Sequence, residues 1–289
     1  MICMSLTSIM KAGLSKVVVA NILIPNNQLK PSKDCVACPR TKNSSLVGTA
    51  FDYLFRSELK RLHPGAIEYK FIAEYSILLV DRYIKLKGYY PAQNKKIGEK
   101  ELRAMENAAE KYKEKRAAFL SNGILTRDFV EATIRFARMD SIYRADFYDD
   151  VEKEVNPLDI EDLIALYNLI PERFKKTSDP ILLDPNFGKA SNIVGGADVD
   201  LIIGDTMIDI KTTKEMKLDE YTWSQIVGYL ILAEEAHRNE GIIPKIENLG
   251  LYFSRYGSLW TIRASYVREN PNYEKVRKKL LKGVHQLKI

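Results

Sequence analysis

Residues Asp198 to Lys211 constrain the fold more than any other stretch of the chain. Val199, Leu201 and Ile203 alternate with Asp198, Asp200 and Ile202. After Gly204-Asp205, Met207, Asp209 and Lys211 alternate with Ile208 and Ile210. Alternation with period two is the mark of a strand, and Gly-Asp between two such runs is a two-residue turn signal. The segment therefore reads as a β-hairpin with one apolar face and one functional face. If Gly204-Asp205 forms the turn, Ile203 pairs with Thr206, Ile202 with Met207 and Leu201 with Ile208. Outward continuation then sets Asp200 opposite Asp209 and Asp198 opposite Lys211. In this register Val199, Leu201, Ile208 and Ile210 share the buried face.

Helical patterns surround the hairpin. Asn43, Ser44 and Ser45 can cap a helix from about Leu46 to Leu62, ended by Pro64 and Gly65. Further helices are expected over Phe71–Leu86, Glu99–Leu120, Thr126 to about Tyr143, Ile160–Tyr167 and Glu220–Arg238, with a last one from near Asn272. Residues 65–180 thus read as a helical region. Leu249–Arg255 and Trp260–Arg263 read as two more strands joined at Tyr256-Gly257. Strands, a helix and more strands imply an α/β fold with a mixed sheet flanked by helices.

Asp209 and Lys211 lie two apart on a strand, so their side chains leave the same face. That face carries three carboxylates and a lysine. Crowded carboxylates raise one another's pKa, and a divalent cation removes that cost. Oxygen-only ligands favour a hard ion such as Mg²⁺ or Mn²⁺. A solvated strand pair with a cross-strand salt bridge would have the same sequence. On the next helix Gln225 and Tyr229 are four apart and share a face, and Tyr221 lies one turn earlier.

The order Asp, then Asp-x-Lys, then Gln-x-x-x-Tyr resembles the PD-(D/E)XK nuclease superfamily, in particular its RecB-type branch. The resemblance covers Gly195 to Tyr229 and extends more loosely to Gly48-Thr49-Ala50-Phe51-Asp52. It implies a restriction-endonuclease-like core over residues 191–263, within one nuclease domain spanning 1–289, with 65–180 as a large helical insertion. It implies metal-dependent hydrolysis of DNA phosphodiester bonds, of an exonuclease-like kind suited to repair, phage recombination or defence. The alternative is a nucleic-acid-binding subunit that keeps the fold without cutting. Asp200 and Asp209 would bind Mg²⁺ or Mn²⁺, with the Ile210 carbonyl and Asp198 as further candidates. Lys211 would position or activate the attacking water. Gln225 and Tyr229 would contact the nucleic acid or hold Lys211. Asp52 stands where many RecB-type nucleases place a histidine ligand; it reads either as a ligand or as an i,i+4 partner of Arg56. Lys214, Lys217 and Tyr221 are candidates for contact with DNA, although the lysines fit simple solvation equally.

Other signals bound the picture. Related nucleases that hold an iron–sulfur cluster place further cysteines after the core; here Cys35-x-x-Cys38 is followed by none, so no cluster is expected. The pair reads as ordinary thiols or as half of a zinc site shared between subunits. With Cys3, three cysteines give no disulfide framework and point to a reducing cytoplasm. His63, His237 and His285 lack ligand spacing and read as surface residues. The net charge of +6 suits a polyanion such as DNA without requiring one. No apolar run approaches the ~20 residues of a membrane span, and Lys11 and Lys16 interrupt the apolar N-terminus, so no signal peptide is read. The last helix carries Lys275, Arg277, Lys278, Lys279 and Lys282 against an apolar stripe of Val276, Leu280, Val284 and Leu287. It is expected to pack one face and solvate the other. Nothing in the sequence names a protein partner.

Overall fold

The hairpin adopts the register that its turn demands. The structure, a computed structural model, describes residues 5–25, 29 and 34–282. In chain order its strands are β1 (Ile67–Glu68), β2 (Tyr90–Pro91), β3 (Lys96–Ile97), β4 (Ile181–Leu183), β5 (Leu201–Ile203), β6 (Thr206–Lys211), β7 (Asn248–Phe253) and β8 (Ser258–Arg263). Gly204 sits at φ +56, and across the turn Ile203 faces Thr206, Ile202 faces Met207 and Leu201 faces Ile208. The left-handed φ of Gly204 costs a glycine little and gives the tight turn its twist.

A six-stranded mixed sheet runs in the order β1-β4-β5-β6-β7-β8, while β2 and β3 form a separate pair. β4, β5 and β6 are an antiparallel meander. β6 and β7 are parallel, joined through the helix Glu220–Glu240, and β8 returns antiparallel to β7. A parallel neighbour requires such a crossover.

Helices cover both faces of the sheet. Leu201, Ile208 and Tyr252 pack with the helix Ser44–Leu62 and the helices that follow it, while Ile202, Met207, Leu249 and Leu251 pack with the helix Glu220–Glu240 and the N-terminal helices. The expected division of the hairpin into an apolar and a functional face is therefore corrected. Both faces are apolar along most of the hairpin, and the polar residues gather only at its open end. Val199 also belongs to the cluster opposite that of Leu201. The reason is local. The ladder with β6 starts at Leu201, and before it Val199 donates its N–H to Pro185 while Asp198 bridges Asn186.

The helices Ser44–Leu62, Ile72–Lys87, Glu99–Asn122, Pro157–Asn168, Glu220–Glu240 and Tyr273–Leu281 lie within three residues of expectation. The helix expected from Thr126 to Tyr143 is two, Arg127–Ala137 and Asp140–Ala145. Ser76 donates to the Met139 carbonyl at 2.7 Å, satisfying at the break a group that an unbroken helix would have used. The stretch 65–180 is likewise not helical throughout, because β1 pairs parallel with β4 at the sheet edge and β2–β3 lie between helices. Helical segments at Leu6–Ile9, Met10–Leu14 and Ser15–Asn21, which the sequence reading passed over, cover the Glu220–Glu240 helix. No helix among the described residues is long and apolar enough to cross a membrane. Val276 and Leu280 are buried as expected of the last helix; Val284, Leu287, His285 and Cys3 lie outside the described residues.

Candidate functional site

β6 places Asp209 and Lys211 on the face covered by the Glu220–Glu240 helix. Their side chains are only 7% and 15% exposed, and Lys211 Nζ stands 2.7 Å from Asp209 Oδ2. The same Nζ donates to Gln225 Oε1 at 2.7 Å, and Gln225 Nε2 donates to the Tyr229 hydroxyl at 3.0 Å. Asp219 fixes the start of this helix by accepting from the Thr222 N–H at 2.8 Å, so Gln225 and Tyr229 arrive one turn apart on the face that meets β6. Burial disfavours the Lys211 ammonium, but Asp209 and then Asp200 outweigh it, and the pKa is raised. Tyr229 is buried against Phe187, with ring centroids 5.8 Å apart. Gln225 touches Lys211 directly, and Tyr229 reaches it only through Gln225.

Asp200 reaches the same place from β5. Gly195 and Gly196, both at positive φ, turn the chain into the segment that carries Asp198 and Asp200. Asp200 Oδ2 accepts the Ile210 N–H at 2.5 Å, which ties it across the hairpin beside Asp209. Burial, followed by the charges of Asp209 and Asp52, pushes the Asp200 carboxyl well above its usual range. Asp198 does not face Lys211. Because the ladder ends at Leu201, the expected pairing does not extend that far, and Asp198 Oδ2 lies 3.7 Å from Arg144.

Asp52 lies on the cleft and also near its i,i+4 neighbour Arg56. Its side chain is 22% exposed and lines the cleft beside Asp200, and it also stands 4.0 Å from Arg56. Arg56, fully buried, has its close partner elsewhere, in Asp184 Oδ2 at 2.9 Å. Burial pushes Asp52 up to about 6, against the pull of Arg56. Asp184, unremarked in the sequence, holds a left-handed φ of 57° at the end of β4 and donates its N–H to the Asp200 carbonyl at 2.9 Å. Burial raises it as well; Arg56 opposes the rise, and Asp198, Asp52 and Asp200 add to it. A non-glycine residue at positive φ costs of the order of 1 kcal/mol and is tolerated where its neighbours over-determine it.

Asp52, Asp200, Ile210 and Lys211 line a cleft of about 720 Å³. Asp140 and Arg144, from the region between β3 and β4, line its far side. Asp52 Oδ1 and Asp209 Oδ2 are buried and have no aligned hydrogen-bond donor. Among the described residues no three His, Cys, Asp or Glu side chains are already gathered around one point as a metal cage. Asp200 is engaged by the Ile210 N–H and Asp209 by Lys211. The donor atoms are all carboxylate oxygens, and Asp52 Oδ1 has no donor; oxygen ligands suit a hard divalent cation better than a thiophilic one.

Lys214 and Lys217 line an adjoining cavity of about 290 Å³ together with Lys211. Lys217 is paired there with Glu215 at 3.2 Å. Tyr221 is partly buried against the N-terminal helices, with Lys11 Nζ 5.9 Å from its ring. Cys35 and Cys38 lie outside the cleft; burial and its neighbour Cys38 push Cys35 up to about 12, so it is held as a thiol. His63 is half-buried and bonds to the Phe174 carbonyl, whereas His237 is exposed. The chain matches no protein-family model, no curated protein and no solved structure.

The hairpin and the helix after it were visible as patterns, and Arg56 as a neighbour of Asp52, but Asp184, Asp140 and Arg144 were not. Asp184 had one faint sign, an aspartate between a short apolar run and Pro185. Nothing in the local sequence ties Arg144 to a hairpin more than fifty residues later.

Proposed function

We propose that the chain is a metal-dependent nuclease of the PD-(D/E)XK type that hydrolyses DNA phosphodiester bonds. The observation that carries this reading is the buried Lys211 ammonium, held between Asp209 and Gln225 beside the desolvated Asp200. A solvated strand pair has no use for such an arrangement. The mixed sheet with helices on both faces, and β6 near its centre, supports a restriction-endonuclease-like core.

Asp200 and Asp209 would hold a hard divalent cation, Mg²⁺ or Mn²⁺, with Asp52 and the Ile210 carbonyl beside them. Bound there, the ion would neutralise phosphate charge and lower the pKa of a coordinated water. Lys211 stays protonated next to Asp209, so its part is to donate a hydrogen bond and to stabilise negative charge that develops on the phosphate. Gln225 and Tyr229 keep its Nζ aimed into the cleft. Lys214 and Lys217 extend positive charge along the adjoining cavity, where a nucleic-acid backbone would leave the site.

The test is a cleavage assay on linear, circular and single-stranded DNA with Mg²⁺ or Mn²⁺. Cleavage that a chelator stops, and that Asp209→Asn and Lys211→Ala each abolish, is expected. Cleavage that persists in both variants would remove the assignment from this site.

A further inference from the structure

The helices between β3 and β4 do more than enclose the cleft. β1 runs parallel to β4 with Glu68 beside Leu183, so Tyr69 and Lys70 leave the sheet at the end where Asp184 stands. Arg56 confirms the proximity, donating to the Tyr69 carbonyl at 2.6 Å and to Asp184 at 2.9 Å. Next to this point Tyr75 and Tyr143 form an exposed ring pair. They are 39% and 45% accessible, with centroids 5.9 Å apart and planes tilted by 40°. Lys70 Nζ lies 5.9 Å from the Tyr75 ring. The residue after Tyr143 is Arg144, whose half-exposed side chain reaches into the cleft at 3.5 Å from Asp140 and 3.7 Å from Asp198. Both contacts are longer than the 2.7–2.9 Å usual for a charge-assisted hydrogen bond, so the guanidinium is tethered at the acidic site without being consumed by it.

From this juxtaposition we infer that Lys70, Tyr75, Tyr143 and Arg144 form a docking wall for an unpaired nucleotide strand. Arg144 takes a backbone phosphate next to the carboxylates, and the tyrosine rings take the neighbouring bases. The inference rests on the nuclease reading for the identity of the cleft and adds the substrate class to it. Exposed aromatic faces recognise bases by stacking, which tolerates any sequence, and cations along the same path track the backbone. In a duplex the base faces are already stacked on one another, so a ring platform discriminates for strands that are single or opened at an end. A ring pair that served only internal packing would gain nothing from this exposure or from adjacent cations.

The test is fluorescence anisotropy with a labelled oligothymidine and with a matched duplex, in Ca²⁺ so that binding is read without turnover. The wild-type chain is expected to prefer the single strand. A Tyr75→Ala, Tyr143→Ala double variant should weaken single-strand binding on the order of ten-fold or more, with duplex binding and the unfolding midpoint little changed. Tyr75→Phe with Tyr143→Phe keeps both rings and should keep the affinity. A strand of abasic spacers should lose the same factor against wild type and nothing further against the alanine variant. Arg144→Ala should lower the slope of log affinity on log salt by about 0.7, the value for one single-strand phosphate. Unchanged single-strand binding in the double alanine variant would overturn the inference. So would tyrosine variants that alter only self-association, which would make the rings a protein-docking surface. A wild type that binds single strands through the tyrosines but never cleaves them with Mn²⁺ would keep the wall and end the nuclease reading. Cleavage indifferent to the tyrosines would do the reverse.

Discussion

A lysine that is 15% exposed remains a cation only where carboxylates outweigh its burial, and Asp209 and Asp200 do so for Lys211. The ammonium and the carboxylates are thus mutually dependent. Removing a single partner of a buried pair leaves the other charge uncompensated, at a cost of ~3–5 kcal/mol. Lys211→Ala is expected to lose stability toward the lower end of that range without metal, because the cleft admits some water, and urea denaturation would measure it. Tyr229→Phe isolates a subtler contribution. The phenylalanine fills the same space against Phe187 but removes the acceptor of the Gln225 Nε2–H, so Gln225 holds Lys211 without that anchor. The expected stability loss is about 1 kcal/mol. If Lys211 acts on developing charge as proposed, the activity loss should fall on kcat with KM nearly unchanged. A selective rise in KM would instead show Tyr229 touching substrate.

At the scale of elements, the Glu220–Glu240 helix carries the site on one face and the N-terminal helices on another. Trp223 Nε1 donates to the Ile22 carbonyl at 3.0 Å, and Ser224 donates to Ser15 at 3.2 Å. Gly228 permits the close approach: a Cβ there would stand 2.6 Å from Met10 Cε and 3.2 Å from the Leu6 methyls. Gly228→Ala should therefore cost ~1–3 kcal/mol by overpacking. Met10→Ala opens space at the same point, so the double variant should be more stable than the two single losses would sum to, as a thermal-unfolding cycle would show. Strict additivity would mean that the helices separate freely there. These N-terminal helices also illustrate what the sequence concealed. Leu6, Met10, Leu14 and Val18 recur every four residues and are buried, but Lys11 and Lys16 between them looked like interruptions when they are exposed residues of successive helical segments. The hairpin was legible because turn chemistry and period two agree over Leu201 to Lys211. Its extension to Asp198 failed because a second partner, the Pro185–Asn186 segment, competes for that backbone. Asp184 and Arg144 were out of reach, since the pairing of β4 with β5 brings the first to the hairpin and the packing of a distant helix brings the second.

For the whole molecule, the acidic cluster ties folding to pH and to cations together. Asp52 and Asp140 are each pushed by burial to about 6, and Asp184 and Asp200 well above their usual range. In the unfolded chain an aspartate titrates at about 3.9. Between these values the folded chain holds protons that the unfolded chain has released. Stability contributed by Asp52 and Asp140 is therefore fully present below about pH 4 and is lost as pH rises through 6, with a slope of up to ~1.4 kcal/mol per unit for each group, and Asp184 and Asp200 act in the same sense. Glu101, Glu172 and Glu247 are lowered by their lysine partners and act in the opposite sense, but only below the usual glutamate range. Without metal, the unfolding temperature is thus expected to fall from pH 5 to pH 7. On the proposed reading, a divalent cation held by the ionised carboxylates would reverse this at pH 7, by ~2.7 kcal/mol at a hundred times its dissociation constant. The gain fades below pH 6, where protons compete for the same oxygens. Asp200→Asn keeps an acceptor for the Ile210 N–H and leaves Asp209 to compensate Lys211, so the metal-free protein should still fold, and the variant should abolish the Mn²⁺ shift. Thermal unfolding from pH 4.5 to 8, with EDTA or Mn²⁺, tests the linkage. A metal-free curve that rises through pH 5–7, or a Mn²⁺ shift that survives in Asp200→Asn, would place the cation and the titrating protons somewhere other than this cleft.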